Sequence, residues 1–477
     1  MFVARDAELR GLERMYAKQG FQMAVIYGRR RVGKTALIDE FVRDKRVLYF
    51  TAQQKTAHVN LALFTQAIFR AYGLPDVPGA FASWDAALDF IVAREIDYAG
   101  DSPLVFVFDE FPYAAEADAG LPSVFQSAID HGFKDTNVRM ILCGSNEGFM
   151  ESEVLGAKSP LYGRRTMQIH VEPFDYLDAA RMLPGASTTE RVSYYAAFGG
   201  TPYYLAQIDR DLTFEQNVEM LMFDKLGMLY EEPLMLLREE LREPAQYNSV
   251  LDAIGAGDTT LGRIADHSGV NQNSVGKYLR VLMSLGILER VAPYGENERT
   301  SRKARYRIRD PFFSFWYRFV SKNVGQIEEG NGPAIARSAL SSPLLSTHVG
   351  KLFETICRQW LVRENIAGRL PFTALEFGQW WGADPAKHEE TDIDLIAANR
   401  DRKEILLGEC KWRNSFDETA AVEALECRAG LIGGFKRYRL VLFSKMPASH
   451  ATVAKYAEDD DMMFVSTEDL YRELAAE

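Results

Sequence analysis

Continuous apolar runs closed by small or charged residues mark the first third of the chain. Phe21-Gln22-Met23-Ala24-Val25-Ile26-Tyr27 reads as a buried strand, because its apolar positions do not alternate. Residues 46–52 and 103–111 repeat the pattern, the latter carrying Asp109-Glu110 near its end. Residues 138–146 repeat it again and finish in Gly144-Ser145-Asn146. Between these runs the period becomes helical. Leu37, Ile38, Phe41 and Val42 recur at helix spacing, and residues 60–97 continue it across turns near Leu74 and at Val77-Pro78-Gly79. Ahead of the first strand, Leu9 and Leu12 share one face of a short helix for which Asp6 is the expected N-cap. Strands alternating with helices predict an α/β core over 1–173.

Residues 174–243 are helical in pattern, with Met220, Met222, Leu226, Met228 and Leu229 at core-like spacing. Pro244 stops that run. Within 244–320, three helical segments (247–254, 260–270, 271–282) precede two short strands, 286–291 and 305–309, around a polar turn. The aromatic run from Phe312 to Phe319 reads as buried packing. Residues 321–345, rich in glycine, serine and proline, read as a linker. A last domain over 346–477 opens with an amphipathic helix carrying Glu354. It continues with strands at 391–398 and 404–412, expected as a hairpin, and a core strand at 438–444.

Composition narrows the class without deciding it. The 477 residues suit two to four domains, and 47% hydrophobic with 26% charged residues is the balance of a soluble globular protein. A net charge of −12 excludes a generally basic nucleic-acid coat but leaves room for a local basic patch. Cys143, Cys357, Cys410 and Cys427 form no C-x-x-C pair, which excludes a zinc signature or disulfide framework and predicts a cytoplasmic protein. No apolar run is long enough to span a bilayer, so no membrane partner is expected.

The chemistry starts at Gly28-Arg29-Arg30-Arg31-Val32-Gly33-Lys34-Thr35, which fills G-x-x-x-x-G-K-[ST] without mismatch between a strand and a helix. Gly28 and Gly33 let the backbone wrap an anion, and the N–H groups of the helix start, through Ala36, point inward at it. Lys34 would reach the β- and γ-phosphates of ATP, and Thr35 would hold Mg²⁺. Asp109 at its strand's end would hold a Mg²⁺ water, and Glu110 would polarise the attacking water. Ser145 or Asn146 would contact the γ-phosphate or that water. Arg164 and Arg165 would neutralise transition-state charge, in cis or across the interface of a homo-oligomer.

The order of phosphate loop, Asp-Glu strand, Gly-Ser-Asn strand and Gly163-Arg164-Arg165 resembles the AAA+-like ATPases of the STAND type. More narrowly, it resembles prokaryotic members with an uncharacterised C-terminal domain. The opening Phe2-Val3-x-Arg5-x-x-Glu8-Leu9 fits that family, whose first segment lies near the adenine. Gly199-Gly200-Thr201-Pro202 fits its Gly-x-Pro lid element, which implies that Pro202 approaches the nucleotide. The resemblance implies a P-loop NTPase core over 1–173 and a helical lid over 174–243, working as an ATP-dependent switch or motor.

Residues 244–320 resemble a winged helix. On that likeness Asn273, Ser274, Lys277 and Tyr278 would face a DNA major groove, with Arg302, Lys303 and Arg305 on the wing. Contact with DNA and service as a lid or protein-contact module both remain open for it.

In the last domain Glu409 and Lys411 alternate by two and so share a face. Asp394 and Glu409 would coordinate a divalent ion with help from the Cys410 carbonyl, and Lys411 would orient the attacking water or steady charge on phosphate. The order helix-Glu354, Ile-Asp394, Glu409-x-Lys411 resembles the PD-(D/E)xK nuclease superfamily, with Thr-Asp-Ile-Asp in place of Pro-Asp. That resemblance implies a restriction-nuclease-like α/β domain. Three functions compete: an ATPase coupled to nucleic-acid binding or Mg²⁺-dependent DNA cleavage, an ATP-driven switch that binds a partner without cutting, and a DNA-binding regulator.

Overall fold

The computed structural model describes residues 2–475 apart from 76–78, 80 and 386. The turn expected at Val77-Pro78 lies outside the described residues. Two compact units meet in the chain between Pro173 and Phe174.

In the first unit β1 (Gln22–Tyr27), β2 (Val47–Thr51), β3 (Val105–Asp109), β4 (Arg139–Gly144) and β5 (Met167–His170) form a parallel sheet. Their order is β2-β3-β4-β1-β5. β1, β3 and β4 are buried along their whole length, which is why they lack polar alternation. Met23 and Val25 pack one way, against Phe64, Trp84 and Phe125. Ala24 and Ile26 pack the other way, against Leu12, Leu37 and Phe41. Because β4 lies between β1 and β3, the residues leaving all three strands emerge side by side at one carboxyl edge.

The first helix corrects one expectation. It spans Asp6–Tyr16, and the residue that caps it is Arg5, in left-handed backbone (φ 68), rather than Asp6. The Arg5 guanidinium donates to the Val32 and Glu172 carbonyls (3.1 and 2.5 Å), so a long-range anchor sets the turn. Arg139, at 1% exposure, donates to the carbonyls of Tyr16 (3.0 Å), Gly20 (2.6 Å) and Asn137 (3.1 Å), tying the end of that helix to the sheet.

The second unit begins against a glycine pair. The Phe174 amide donates to the Gly200 carbonyl (2.8 Å), and a Cβ on Gly200 would stand 1.8 Å from the Phe174 oxygen. The methionine stripe behaves differently from its spacing. Met222 and Leu229 are buried, whereas Met220, Leu226 and Met228 are exposed. The helix Phe214–Met222 buries Val218, Leu221 and Met222, which turns Met220 outward, and Leu226 and Met228 lie beyond its end.

Helices Pro244–Gly255, Leu261–Ser268 and Gln272–Ser284 lead into an antiparallel ribbon, β6 (Leu288–Val291) and β7 (Arg305–Ile308). The aromatic run is buried as expected, in a helix Pro311–Phe315 and a helical turn Trp316–Val320. The expected linker is instead helical, with segments Val324–Gln326 and Gly332–Leu340 and buried Ile327 and Ala336. Its glycines and prolines set turns rather than slack: Gly330 has φ +94, Pro333 opens a helix, and a Cβ on Gly332 would meet the Phe223 oxygen at 1.8 Å.

The long helix Pro343–Ile366 covers one face of a sheet ordered β12-β11-β10-β9-β8. Its strands are β8 (Glu376–Asp384), β9 (Glu389–Ala398), β10 (Glu404–Lys411), β11 (Arg437–Ser444) and β12 (Met462–Ser466). β9 and β10 form the expected hairpin, with Ile405 opposite Ala398, and β11 and β12 run parallel to β10. Phe353 and Trp360 of the long helix meet Trp412 and Phe443, at ring separations of 5.2 and 5.6 Å. The other face packs Ile396 and Leu407 against Val422 and Leu425 of the helix Glu418–Ala429. Among the described residues no helix is long and apolar enough to cross a membrane.

His348 on the long helix gives the unit a pH dependence. It is 4% exposed, its Nε2 lies 3.1 Å from the Ala196 carbonyl, and burial pushes its pKa down to about 4. The unfolded chain then takes up a proton near pH 6.5 that the fold refuses. Stability present above about pH 6.5 is therefore lost as pH falls toward about 4, by up to roughly 3 kcal/mol. Thermal melts across that window should show a shallower decline for His348→Gln; parallel curves for variant and wild type would refute the assignment.

Candidate functional site

β1 delivers the chain into a loop that opens on a glycine no larger residue could replace. Gly28 has φ +152, and a Cβ there would sit 2.3 Å from the Val171 carbonyl oxygen. Gly33 (φ 92) caps the helix Lys34–Val42, so the free amides of that helix face the loop. Lys34 is buried, and its Nζ donates to the carbonyls of Gly28 (2.7 Å) and Arg29 (3.1 Å), arched over the cradle. Among the described residues Lys34 makes no ion pair with a carboxylate, so an anion in the cradle would meet an ammonium held only by neutral oxygens. Thr35 and Ala36 are exposed at the helix start. These features fit a nucleoside triphosphate.

Asp109 ends β3 beside the cradle and is buried. It accepts from the Tyr49 hydroxyl (3.2 Å) and the Glu110 amide (3.0 Å). Its charge, after burial itself, raises the pKa of Asp39, and the same two causes raise Tyr49 and Cys143. Glu110 stands in left-handed backbone (φ 52), an unusual conformation for a side chain of its size. The Ser145 hydroxyl donates to its carboxylate at 2.8 Å, and the Ser145 amide donates at 3.2 Å. Ser145 therefore orients Glu110. Asn146 caps the next helix by accepting from the Phe149 amide (3.0 Å).

The two arginines have partners of their own within the first unit. Arg164 grips Asp130 in a bidentate pair (2.9 and 2.5 Å), and its hydrogen bond lowers the Asp130 pKa. Arg165 has the Leu155 carbonyl at 3.5 Å. Pro202 opens the helix Pro202–Leu205 of the second unit. A further cluster carries no sequence signature: Tyr27 stacks on His170 (4.8 Å), whose Nε2 meets Glu147 at 3.0 Å. That hydrogen bond raises the His170 pKa.

The second charged centre lies where β9 and β10 part. Their recorded pairing ends at Leu395–Gly408, leaving Asp394 and Glu409 just beyond it. The Cys410 amide donates to Asp394 Oδ2 at 2.9 Å. Burial pushes the Asp394 pKa up to about 8, with Glu354 and then Glu409 adding to the rise. Glu354 is also raised by burial, while Lys351 at 3.0 Å pulls it back. Glu409 and Lys411 form the ion pair that their alternation predicts. The other Glu409 oxygen is taken by Arg428 at 2.7 Å, a partner the sequence did not suggest because it comes from the covering helix.

A divalent ion fits this centre in part. Asp394 offers a buried carboxyl with one backbone partner, whereas Glu409 is already held by two cations. Among the described residues no three carboxylate, histidine or cysteine side chains surround one point.

Tyr278, expected to face DNA, is instead buried. It packs on Tyr247 (4.9 Å) and reaches Glu243 (3.2 Å), because its side of the helix forms the core of the three-helix unit. Lys277 stands 3.9 Å from Glu243. Asn273, Ser274, Arg302, Lys303 and Arg305 are exposed.

Comparison with known proteins adds the family. Residues 2–208 match a model described as an ATPase domain predominantly from Archaea. Residues 316–422 match a model for archaeal and bacterial proteins of unknown function. An uncharacterised protein of Methanocaldococcus jannaschii is 31% identical over 417 residues, covering 87% of this chain and 89% of that protein. An uncharacterised ATP-binding protein of the same organism is 47% identical over 47 residues, 10% of this chain and 80% of its own length. The Walker-type ATPase of Pyrococcus abyssi superposes with a TM-score of 0.50 at 19% identity, over 66% of this chain and 96% of that one, a likeness of fold. The chain belongs to this family of archaeal-type P-loop ATPases, with the C-terminal domain of unknown function following its ATPase domain.

Proposed function

We propose that the protein couples ATP hydrolysis to nucleic acid, and that its C-terminal domain cuts a phosphodiester. The carrying observation is the meeting of Asp394, Glu409 and Lys411 at the parting of β9 and β10, with Glu354 close enough to raise the Asp394 pKa. Mg²⁺ held by Asp394 and Glu409 would supply Lewis-acid activation of the phosphate; at the nucleotide, Mg²⁺ held by Thr35 and Asp109 would neutralise phosphate charge. The chain's own groups do the rest. Lys34 binds phosphate, Glu110 takes up a proton from water under the orientation Ser145 imposes, and Lys411 steadies charge on the scissile phosphate. In this reading Pro202 approaches the nucleotide, Arg164 or Arg165 serves a neighbouring subunit of a homo-oligomer, and Asn146 supports the helix beyond β4.

A second reading keeps the ATPase and makes the C-terminal domain a binding module that does not cut. The hold of both Lys411 and Arg428 on Glu409 favours it. Incubating the full chain with branched and linear DNA, Mg²⁺ or Mn²⁺, with and without ATP, separates the two. Strand scission that requires metal supports cleavage, and intact DNA under every metal supports the binding module.

A further inference from the structure

A cavity of about 350 Å³ opens between the ribbon and the C-terminal sheet. Its cations are Arg305, Arg307, Arg309, Arg318 and Lys351, against the carboxylates Glu289, Asp392 and Asp394. Arg307 is paired with Glu289 and Lys351 with Glu354 (3.0 Å), so Arg305 and Arg309 carry the argument for an anion. Arg305, Arg307 and Arg309 alternate along β7 and its exit, so three guanidinium groups leave one face of the ribbon. Asp392 and Asp394 alternate in the same way on β9. Trp381, 9% exposed, supplies an aromatic wall, and the Arg305 guanidinium lies 4.7 Å from its ring centroid. Trp380 packs against the cluster on the other face of the sheet.

The ribbon is fastened to this place. The Tyr294 amide donates to the Gln379 carbonyl and its hydroxyl donates to Glu376, both at 2.7 Å. A ribbon whose arginine face is turned onto β8 and β9 does not offer that face to a duplex groove. The space has the volume of a single nucleotide, with cations for the phosphate and an indole ring for the base. A duplex is about 20 Å across and does not enter it.

We infer that this cavity is a single-stranded nucleic-acid site, in which Arg305 and Arg309 grip the phosphates and a base packs against the Trp381 wall. The inference deepens the proposed function and rests on its reading of the C-terminal domain as one that meets nucleic acid. It makes the ribbon the phosphate clamp of that domain, and it makes the substrate class an unpaired strand, such as an end or a flap. Cleavage is not needed for it. The clamp residues lie on β7 and its exit, while Glu409 and Lys411 lie on β10; Asp394 is common to the cavity and the cleavage site.

The test uses the full chain in EDTA, so that no metal-dependent step contributes. Fluorescence anisotropy would follow a fluorescein-labelled twelve-residue oligothymidylate across a salt series. Blunt duplex and thymidine monophosphate serve as competitors. The expected result is single-strand binding at least about tenfold tighter than duplex binding. Arg305→Gln with Arg309→Gln should weaken it by a further factor of about ten or more and flatten the logarithmic salt slope by about 1.4, since each lost phosphate contact removes about 0.7. Both side chains are exposed, so the fold should tolerate the change, and an unchanged melting temperature would verify that. Trp381→Ala should weaken binding about tenfold, and Trp381→Phe should restore most of it.

Preference for duplex, or an unaltered salt slope in the double variant, would overturn the site. Displacement by thymidine monophosphate at concentrations equal to the oligonucleotide would assign the cavity to a free nucleotide instead. The failure of this inference is separable from that of the proposed function. DNA cut normally by the double variant refutes the clamp alone, whereas clamp-dependent binding without scission under any metal refutes cleavage alone.

Discussion

Glu110→Gln should hold ATP about as tightly as the wild type and hydrolyse it at least about a hundredfold more slowly. The geometry gives the reason. Glu110 emerges from β3 in left-handed backbone, and the Ser145 hydroxyl and amide from the neighbouring β4 fix its carboxylate. Glutamine fills the same space and keeps a hydrogen bond to Ser145, but it cannot accept a proton from water. Lys34→Ala should fail at an earlier step. Its ammonium, held by two loop carbonyls, is the cation of the cradle, so the variant should lose nucleotide binding as well as turnover. Titration with a fluorescent ATP analogue beside phosphate release separates the two effects. Equal turnover in wild type and both variants would remove the catalytic assignment.

The second large effect is expected at Lys411. Lys411→Ala should lower DNA scission by about a thousandfold while changing DNA affinity by no more than a few-fold. In the structure Lys411 neutralises Glu409, a task Arg428 shares from the opposite side. Loss of the lysine therefore leaves Glu409 with a partner and the sheet intact, so the loss should appear in rate rather than in folding. Asp394→Ala should behave differently. It removes the carboxyl that accepts from the Cys410 amide, and the variant should lose affinity for Mg²⁺ in a calorimetric titration. Equal scission by wild type and Lys411→Ala would end the nuclease reading.

What could be read from the sequence follows how local each feature is. The phosphate loop is a run of consecutive residues whose glycine backbone and helix start make the cradle without help from elsewhere. The Glu409–Lys411 pairing follows from alternation along one strand, and the hairpin placing Asp394 nearby follows from a short turn. The pairings that complete each site join residues far apart in the chain, and no local pattern gives them. Ser145 reaches Glu110 across the sheet order, Arg5 reaches Val32, and Arg428 reaches Glu409 from a covering helix. Composition misled in two places. Glycine and proline in 321–345 cap helices rather than loosen a linker, and helical spacing alone did not reveal that Met220 and Met228 face solvent. Tyr278 was lost for a related reason. A helix presents one face and buries another, and tertiary packing chose which.

Coupling of ATP hydrolysis to strand binding is read from steady-state phosphate release during an oligothymidylate titration. ATP hydrolysis should rise severalfold with single strand, saturate where anisotropy shows the strand bound, and lose that response in Arg305→Gln with Arg309→Gln. Hydrolysis that stays constant from no strand to a saturated site would contradict it.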